Sequence, residues 1–193
     1  MKDQRWIGKV ILIAVCISVS AYLQVFADHF IYWKPGLLAE FWRLWTAHWV
    51  HVGWMHFFLN MLAFSFLPFI FPHARNWHLC ALLLVLPPFI SLAFYFYLPY
   101  IEAYAGLSGV LHGLYTAVSL VYLQYPQERK FAILVLVLIA MKIVWENTFG
   151  QTGTAQLIGS PVLTEAHLIG AIGGLFCGLG YSLLRRIERE HIR

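Results

Sequence analysis

Apolar residues fall into six long runs along this chain, at roughly 7–27, 54–71, 78–98, 107–124, 131–148 and 165–184, separated by short polar breaks. About 20 apolar residues in a helix cross about 30 Å of hydrocarbon. The pattern therefore predicts an all-α membrane protein, a bundle of six transmembrane helices. The runs leave no room for a separate soluble domain, so residues 1–193 are expected to form a single membrane domain. The first run is too long for a removed signal peptide and has no small-residue cleavage site. Pro87-Pro88 interrupts the third run and should kink it, with neighbouring helices covering the freed carbonyls.

Two connections stand out. The stretch 28–53 carries Phe30, Tyr32, Trp33, Phe41, Trp42, Trp45 and Trp49, and Trp54 follows it. Aromatic-rich segments of this kind lie in the membrane interface instead of projecting into water. The stretch 149–164 holds Gly150, Gly153, Gly159 and Pro161 and is expected to be a flexible loop.

Composition adds orientation. With 61% of residues hydrophobic and only 11% charged, the chain carries less charge than a soluble domain usually does. On the six-span reading, Lys2, Arg5, Lys9, Arg75, Arg129, Lys130, Arg185, Arg186, Arg189 and Arg193 fall on one side, and only Lys34 and Arg43 on the other. The positive-inside rule then places both termini in the cytoplasm. The net charge of +4 reports topology and contact with anionic lipid, not nucleic acid. Cys16, Cys80 and Cys177 are odd in number, lie within the runs and lack metal-ligand spacing, so free, buried thiols are expected.

The few polar residues inside the runs share one depth. Ser108 falls in the first turn of the fourth run, His167 in the first turn of the sixth, and His56 in the first turn of the second. Asn60 lies one turn, about 6 Å, deeper than His56 on the same face. All four enter from the outer side and converge on a shallow pocket that water can reach. Gly109, Gly113 and Ala117 form a small-residue stripe on the fourth run; Ala166, Gly170, Gly174 and Gly178 form another on the sixth. Such stripes allow close helix contact. If they face each other, Ser108 and His167 come within hydrogen-bond reach as a nucleophile and its base. Taken singly, each residue has a plainer reading: helix packing for Gly-x-Ser-Gly, an interfacial histidine, an interhelical amide. Their conjunction on three helices points to chemistry. No aspartate follows Asp28, and Glu165 does not share a helix face with His167, so the expectation is a dyad. Lys142 and Glu146, four residues apart, read as a structural ion pair or as a substrate gate.

The chain resembles the rhomboid intramembrane serine proteases over essentially its full length. The resemblance rests on Gly106-Leu107-Ser108-Gly109, Ala166-His167-Leu168-Ile169-Gly170 with Gly174, the His56-x-x-x-Asn60 pair and Trp42-Arg43. It is most similar to the rhombosortase branch, through GLSGVLHG at 106–113, KIVWEN at 142–147 and IGSP at 158–161. The resemblance implies Ser108 as nucleophile, His167 as general base, and His56 and Asn60 with the Ser108 N–H as the oxyanion hole. Trp42-Arg43 would anchor the first loop. His112 stands where many rhomboids place a tyrosine that stacks on the histidine. The implied enzyme needs no cofactor and no metal. Its partners would be single-span transmembrane substrates within membrane lipid, in particular bacterial GlyGly-CTERM tails. The implied setting is the bacterial inner membrane, with the site opening to the periplasmic side. An acyl-enzyme would permit completion by water or by an amine. The alternative from another class is a non-catalytic rhomboid-like protein that binds transmembrane clients. A metal or haem protein is a third, weaker option, prompted by the nine histidines.

Overall fold

The computed structural model describes residues 2–150 and 152–191. Among the described residues eight α-helices follow one another: α1 (Lys2–Gln24), α2 (Arg43–Thr46), α3 (Trp54–Ile70), α4 (Asn76–Tyr97), α5 (Ser108–Tyr122), α6 (Arg129–Phe149), α7 (Thr152–Ile158) and α8 (Thr164–His191). The strands β1 (Tyr32–Trp33) and β2 (Ala103–Tyr104) pair antiparallel, Tyr32 opposite Tyr104, and tie the long first loop to the segment before α5. The fold is thus mostly helical. Within α1, α4, α6 and α8, four stretches are long and apolar enough to cross a membrane: Trp6–Gln24, Asn76–Tyr97, Arg129–Phe149 and Thr164–Arg185. The other two expected spans correspond to shorter helices, α3 with 17 residues and α5 with 15. At 1.5 Å per residue α5 is about 22 Å long.

The short α5 is the centre of the bundle: ten of its 15 residues are buried, among them Leu114, Val110 and Tyr122. The outer helices instead expose Val15, Leu84, Leu138 and Phe176, as a lipid-facing surface requires. α5 lies against α8 along the two small-residue stripes. A Cβ on Gly109 would come within 2.7 Å of the Ala166 carbonyl oxygen, and one on Gly113 equally close to that of Gly170. Going the other way, a Cβ on Gly170 would run into the Gly109 backbone and one on Gly174 into that of Gly113. Side chains at these positions would push the helices apart.

Proline and loop chemistry are satisfied by neighbours. Pro88 removes the N–H that would reach the Leu84 carbonyl, and the Trp45 indole donates to that oxygen at 2.8 Å. Lys9 Nζ donates to the Pro72 carbonyl at 2.7 Å and the Pro68 carbonyl at 3.2 Å, capping the last turn of α3. Buried Arg43 binds Glu40 through Nε (2.6 Å) and the Ile31 and Asp28 carbonyls through Nη1, which fixes the first loop.

Two expectations are corrected. The 149–164 connection contains the helix α7. Its end is set by Gly159 at φ +73°, whose N–H returns to the Ala155 carbonyl at 2.9 Å, a helix stop that glycine favours. Among the cysteines, all unpaired, Cys16 is buried and Cys177 partly so, but Cys80 is exposed on the outside of α4.

Candidate active site

The starts of three helices and the last turn of a fourth supply the site. Ser108 is the first residue of α5, His56 the third of α3 and His167 the fourth of α8, while Glu146 is one turn from the end of α6. Ser108, His56, Asn60, His112, Lys142 and His167 together line a cavity of about 310 Å³.

The turn into α5 is built around Gly106. Its φ of +145° is a conformation that side chains resist, and a Cβ there would meet His56 Cε1 at 2.7 Å. The Gly106 N–H donates to the Ala47 carbonyl at 3.0 Å, and its own carbonyl accepts from Tyr104 Oη at 2.6 Å. This pins the serine at the helix start, where the Ser108 N–H has no intrahelical acceptor.

His167 is 3% exposed and engaged on both ring nitrogens. Nε2 lies 2.8 Å from Ser108 Oγ, and Nδ1 lies 2.6 Å from Glu146 Oε2. A carboxylate only accepts, so Nδ1 carries the proton and Nε2 is left to accept from the serine hydroxyl. The His112 ring stacks on that of His167 with centroids 4.2 Å apart and planes at 15°. His112 Nδ1 donates to the Ser108 carbonyl at 2.8 Å, since a carbonyl oxygen is acceptor only. A histidine thus occupies the stacking place that a tyrosine fills in many rhomboids.

Asn60 is buried, and its amide donates to the His56 carbonyl one turn back at 3.0 Å. The second amide hydrogen is available to the cavity. His51 packs edge-on against His56, with centroids 5.1 Å apart. Glu165 turns away from His167 and accepts from Tyr100 Oη at 3.0 Å.

The structure therefore brings Ser108, His167, His56 and Asn60 around one cavity, and adds a residue that the sequence reading gave to another task. Glu146 forms the expected ion pair with Lys142, but it also reaches His167 across 21 positions. The expectation of a histidine without a carboxylate is corrected. The signal existed in the depth of Glu146: it stands one turn from its helix end, as Ser108, His56 and His167 do from theirs. Ligand-type atoms of His112, Glu146 and His167 lie within 4.8 Å of one another, a spacing a metal ion could use. His167 is already engaged on both nitrogens, His112 through Nδ1, and Glu146 with both His167 and Lys142. Most of the donor set is thus already engaged within the protein.

Four apolar stretches long enough to cross a membrane, with lipid-facing side chains around them, define the class: a multi-pass membrane protein. The Rhomboid domain model matches residues 38–184, about three quarters of the chain. The chain belongs to the rhomboid family of intramembrane serine proteases. No curated protein matches it.

Proposed function

We propose that the protein is an intramembrane serine endopeptidase in which Ser108 attacks the scissile carbonyl and His167 takes the hydroxyl proton. His167 then returns that proton to the leaving amine. The observation that carries this reading is the 2.8 Å contact between Ser108 Oγ and His167 Nε2 inside the cavity. His56, Asn60 and the Ser108 N–H form the oxyanion hole, supported by their position around the same cavity and by the free N–H at the start of α5. The chain is a single rhomboid-like domain over residues 1–193, with α1, α3, α4, α5, α6 and α8 as its six spans. Both termini face the cytoplasm of a bacterial inner membrane and the site opens to the periplasm; the basic residues near 2–9, 129–130 and 185–193 support this orientation.

The substrates are single-span proteins cut near the outer face, with the rhombosortase-type GlyGly-CTERM tail as the preferred class. Support comes from the segments GLSGVLHG, KIVWEN and IGSP and from the chemistry of such tails. Glycine pairs unwind helices easily and expose the carbonyl that a helix interior hides. The acyl-enzyme is completed by water or by an amine. The experiment is cleavage of a Gly-Gly-tailed single-span protein in proteoliposomes, with mass spectrometry of the new C-terminus. Cutting at the tail by the wild type, and not by Ser108→Ala, is the expected result. A free carboxylate identifies hydrolysis and an added amine identifies transfer. Cleavage of other single-span proteins but not of this tail removes the rhombosortase assignment. Binding of clients without any cleavage favours the non-catalytic reading.

A further inference from the structure

α6 lies against α5 and α8 but buries few of its side chains. Only Ala132 and Glu146 of its 21 residues are buried; Val135 packs on the core, Ile139 and Lys142 line the cavity, and most of the others are exposed. A carboxylate is an expensive group for a membrane helix to bury, because an ion loses its hydration there. Apolar packing would hold the helix at lower cost. Glu146 must therefore be answered for by what its two oxygens touch. One meets the Lys142 ammonium, a turn back on the same helix face; the other meets His167 Nδ1 at 2.6 Å.

We propose that Glu146 is a positioning residue for the reaction, the third member of a Ser108–His167–Glu146 chain; this rests on the Ser108 and His167 roles proposed above. Glu146 does two things through His167. It fixes the Nδ1–H tautomer, without which Nε2 could not accept the serine proton. It also stabilises the imidazolium that exists once that proton has moved. The Lys142 ammonium, half-exposed on the cavity wall, pairs with the other carboxylate oxygen. His112 holds the opposite face of the ring, but its Nδ1 is committed to the Ser108 carbonyl. The groups that face His167 are thus Ser108 and His112 from α5, Lys142 and Glu146 from α6, and His56 from α3. On its own helix, Glu165 is held away by Tyr100. Of these, only Glu146 is an anion that reaches the ring.

The rival role is anchoring α6, so the test needs readouts that an anchor would not move. Fluorophosphonate labelling of Ser108 measures activation of the nucleophile without a known substrate, and its rate is followed against pH. Glu146→Gln is expected to slow labelling about 10³–10⁴-fold, because an amide can donate to Nδ1 and trap the wrong tautomer. The acid limb of its residual profile is expected to move to lower pH, since the imidazolium has lost its anion. Glu146→Asp keeps the charge and is expected to recover most of the rate with the wild-type limb. Labelling by Glu146→Gln at the wild-type rate, or equal losses in both variants with unmoved limbs, would overturn the proposal. Should Glu146→Gln fail to fold, nitrogen-15 spectroscopy of histidine-labelled wild type in bilayers decides, with His167→Gln assigning the signal. The proton on Nδ1 is expected; a proton on Nε2 in the resting enzyme overturns it. Failure of the underlying reading looks different: the wild type itself would not label at Ser108.

Discussion

Two buried histidines at the same end of the bundle make opposite use of burial. His167 is 3% exposed and His51, in the loop before α3, is 2% exposed. His167 has a hydroxyl on one nitrogen and a carboxylate on the other. His51 has no hydrogen-bond partner on either nitrogen among the described residues. Its backbone is gripped instead, the Gln24 side chain accepting from its N–H at 2.7 Å and donating to its carbonyl at 2.8 Å. Its ring packs on His56 and Phe57. Burial, with His56 alongside, pushes the His51 pKa down to about 3, so this ring stays neutral and acts as an aromatic wedge. Burial alone silences a histidine. Burial beside a hydroxyl and a carboxylate leaves both ring nitrogens engaged instead.

The largest expected effect comes from His167. His167→Ala should lower turnover on the order of 10⁶-fold, like Ser108→Ala, with thermal stability retained. Residual cleavage within a hundredfold of wild type would erase the contrast with His51. Asn60→Ala should lower turnover by about 10²–10³-fold and leave substrate affinity little changed, because an oxyanion donor acts in the transition state. Steady-state kinetics separate the two; a loss confined to affinity would remove Asn60 from the oxyanion hole. Gly170→Leu should depress the melting temperature and activity together, since a side chain there meets the Gly109 backbone and parts α5 from α8. An unchanged melting temperature would mean that this seam is not what brings Ser108 to His167.

The smallest effect belongs to His51. His51→Phe keeps an aromatic wedge and should leave turnover within a few-fold of wild type. Its consequence lies in pH dependence. A histidine whose pKa is about 3 when folded and about 6.5 when unfolded binds a proton only on unfolding across that window. The wild type therefore loses stability as pH falls from about 6.5 towards 3, and His48, also pushed down to about 3 by burial, adds to the loss. Removing His51 should flatten the slope by one proton, about 1.4 kcal/mol per pH unit at most. Melting temperatures across this range check it, and an unchanged slope would place a partner on His51.

Much of this was legible in the chain because depth in a membrane is readable from position within an apolar run. Ser108, His56 and His167 each open a run, and the small-residue stripes beside two of them state how close their helices approach. Position within a run does not say which neighbour a face meets. That is why Glu146 read only as the partner of Lys142, its neighbour on the same helix, and not of His167. The helix α7 was hidden for a different reason: the glycines around it read as flexibility, although Gly159 serves as a helix stop. His51 was invisible as a wedge, since nothing in its sequence context separates an interfacial histidine from one packed dry.

Peptide mapping after fluorophosphonate treatment tests the central claim most directly, comparing wild type with His167→Ala in bilayers. A single phosphonyl adduct on Ser108 in the wild type, and none in His167→Ala, is the expected result. An adduct on another residue, or equal labelling of Ser108 when His167 is gone, would contradict the account.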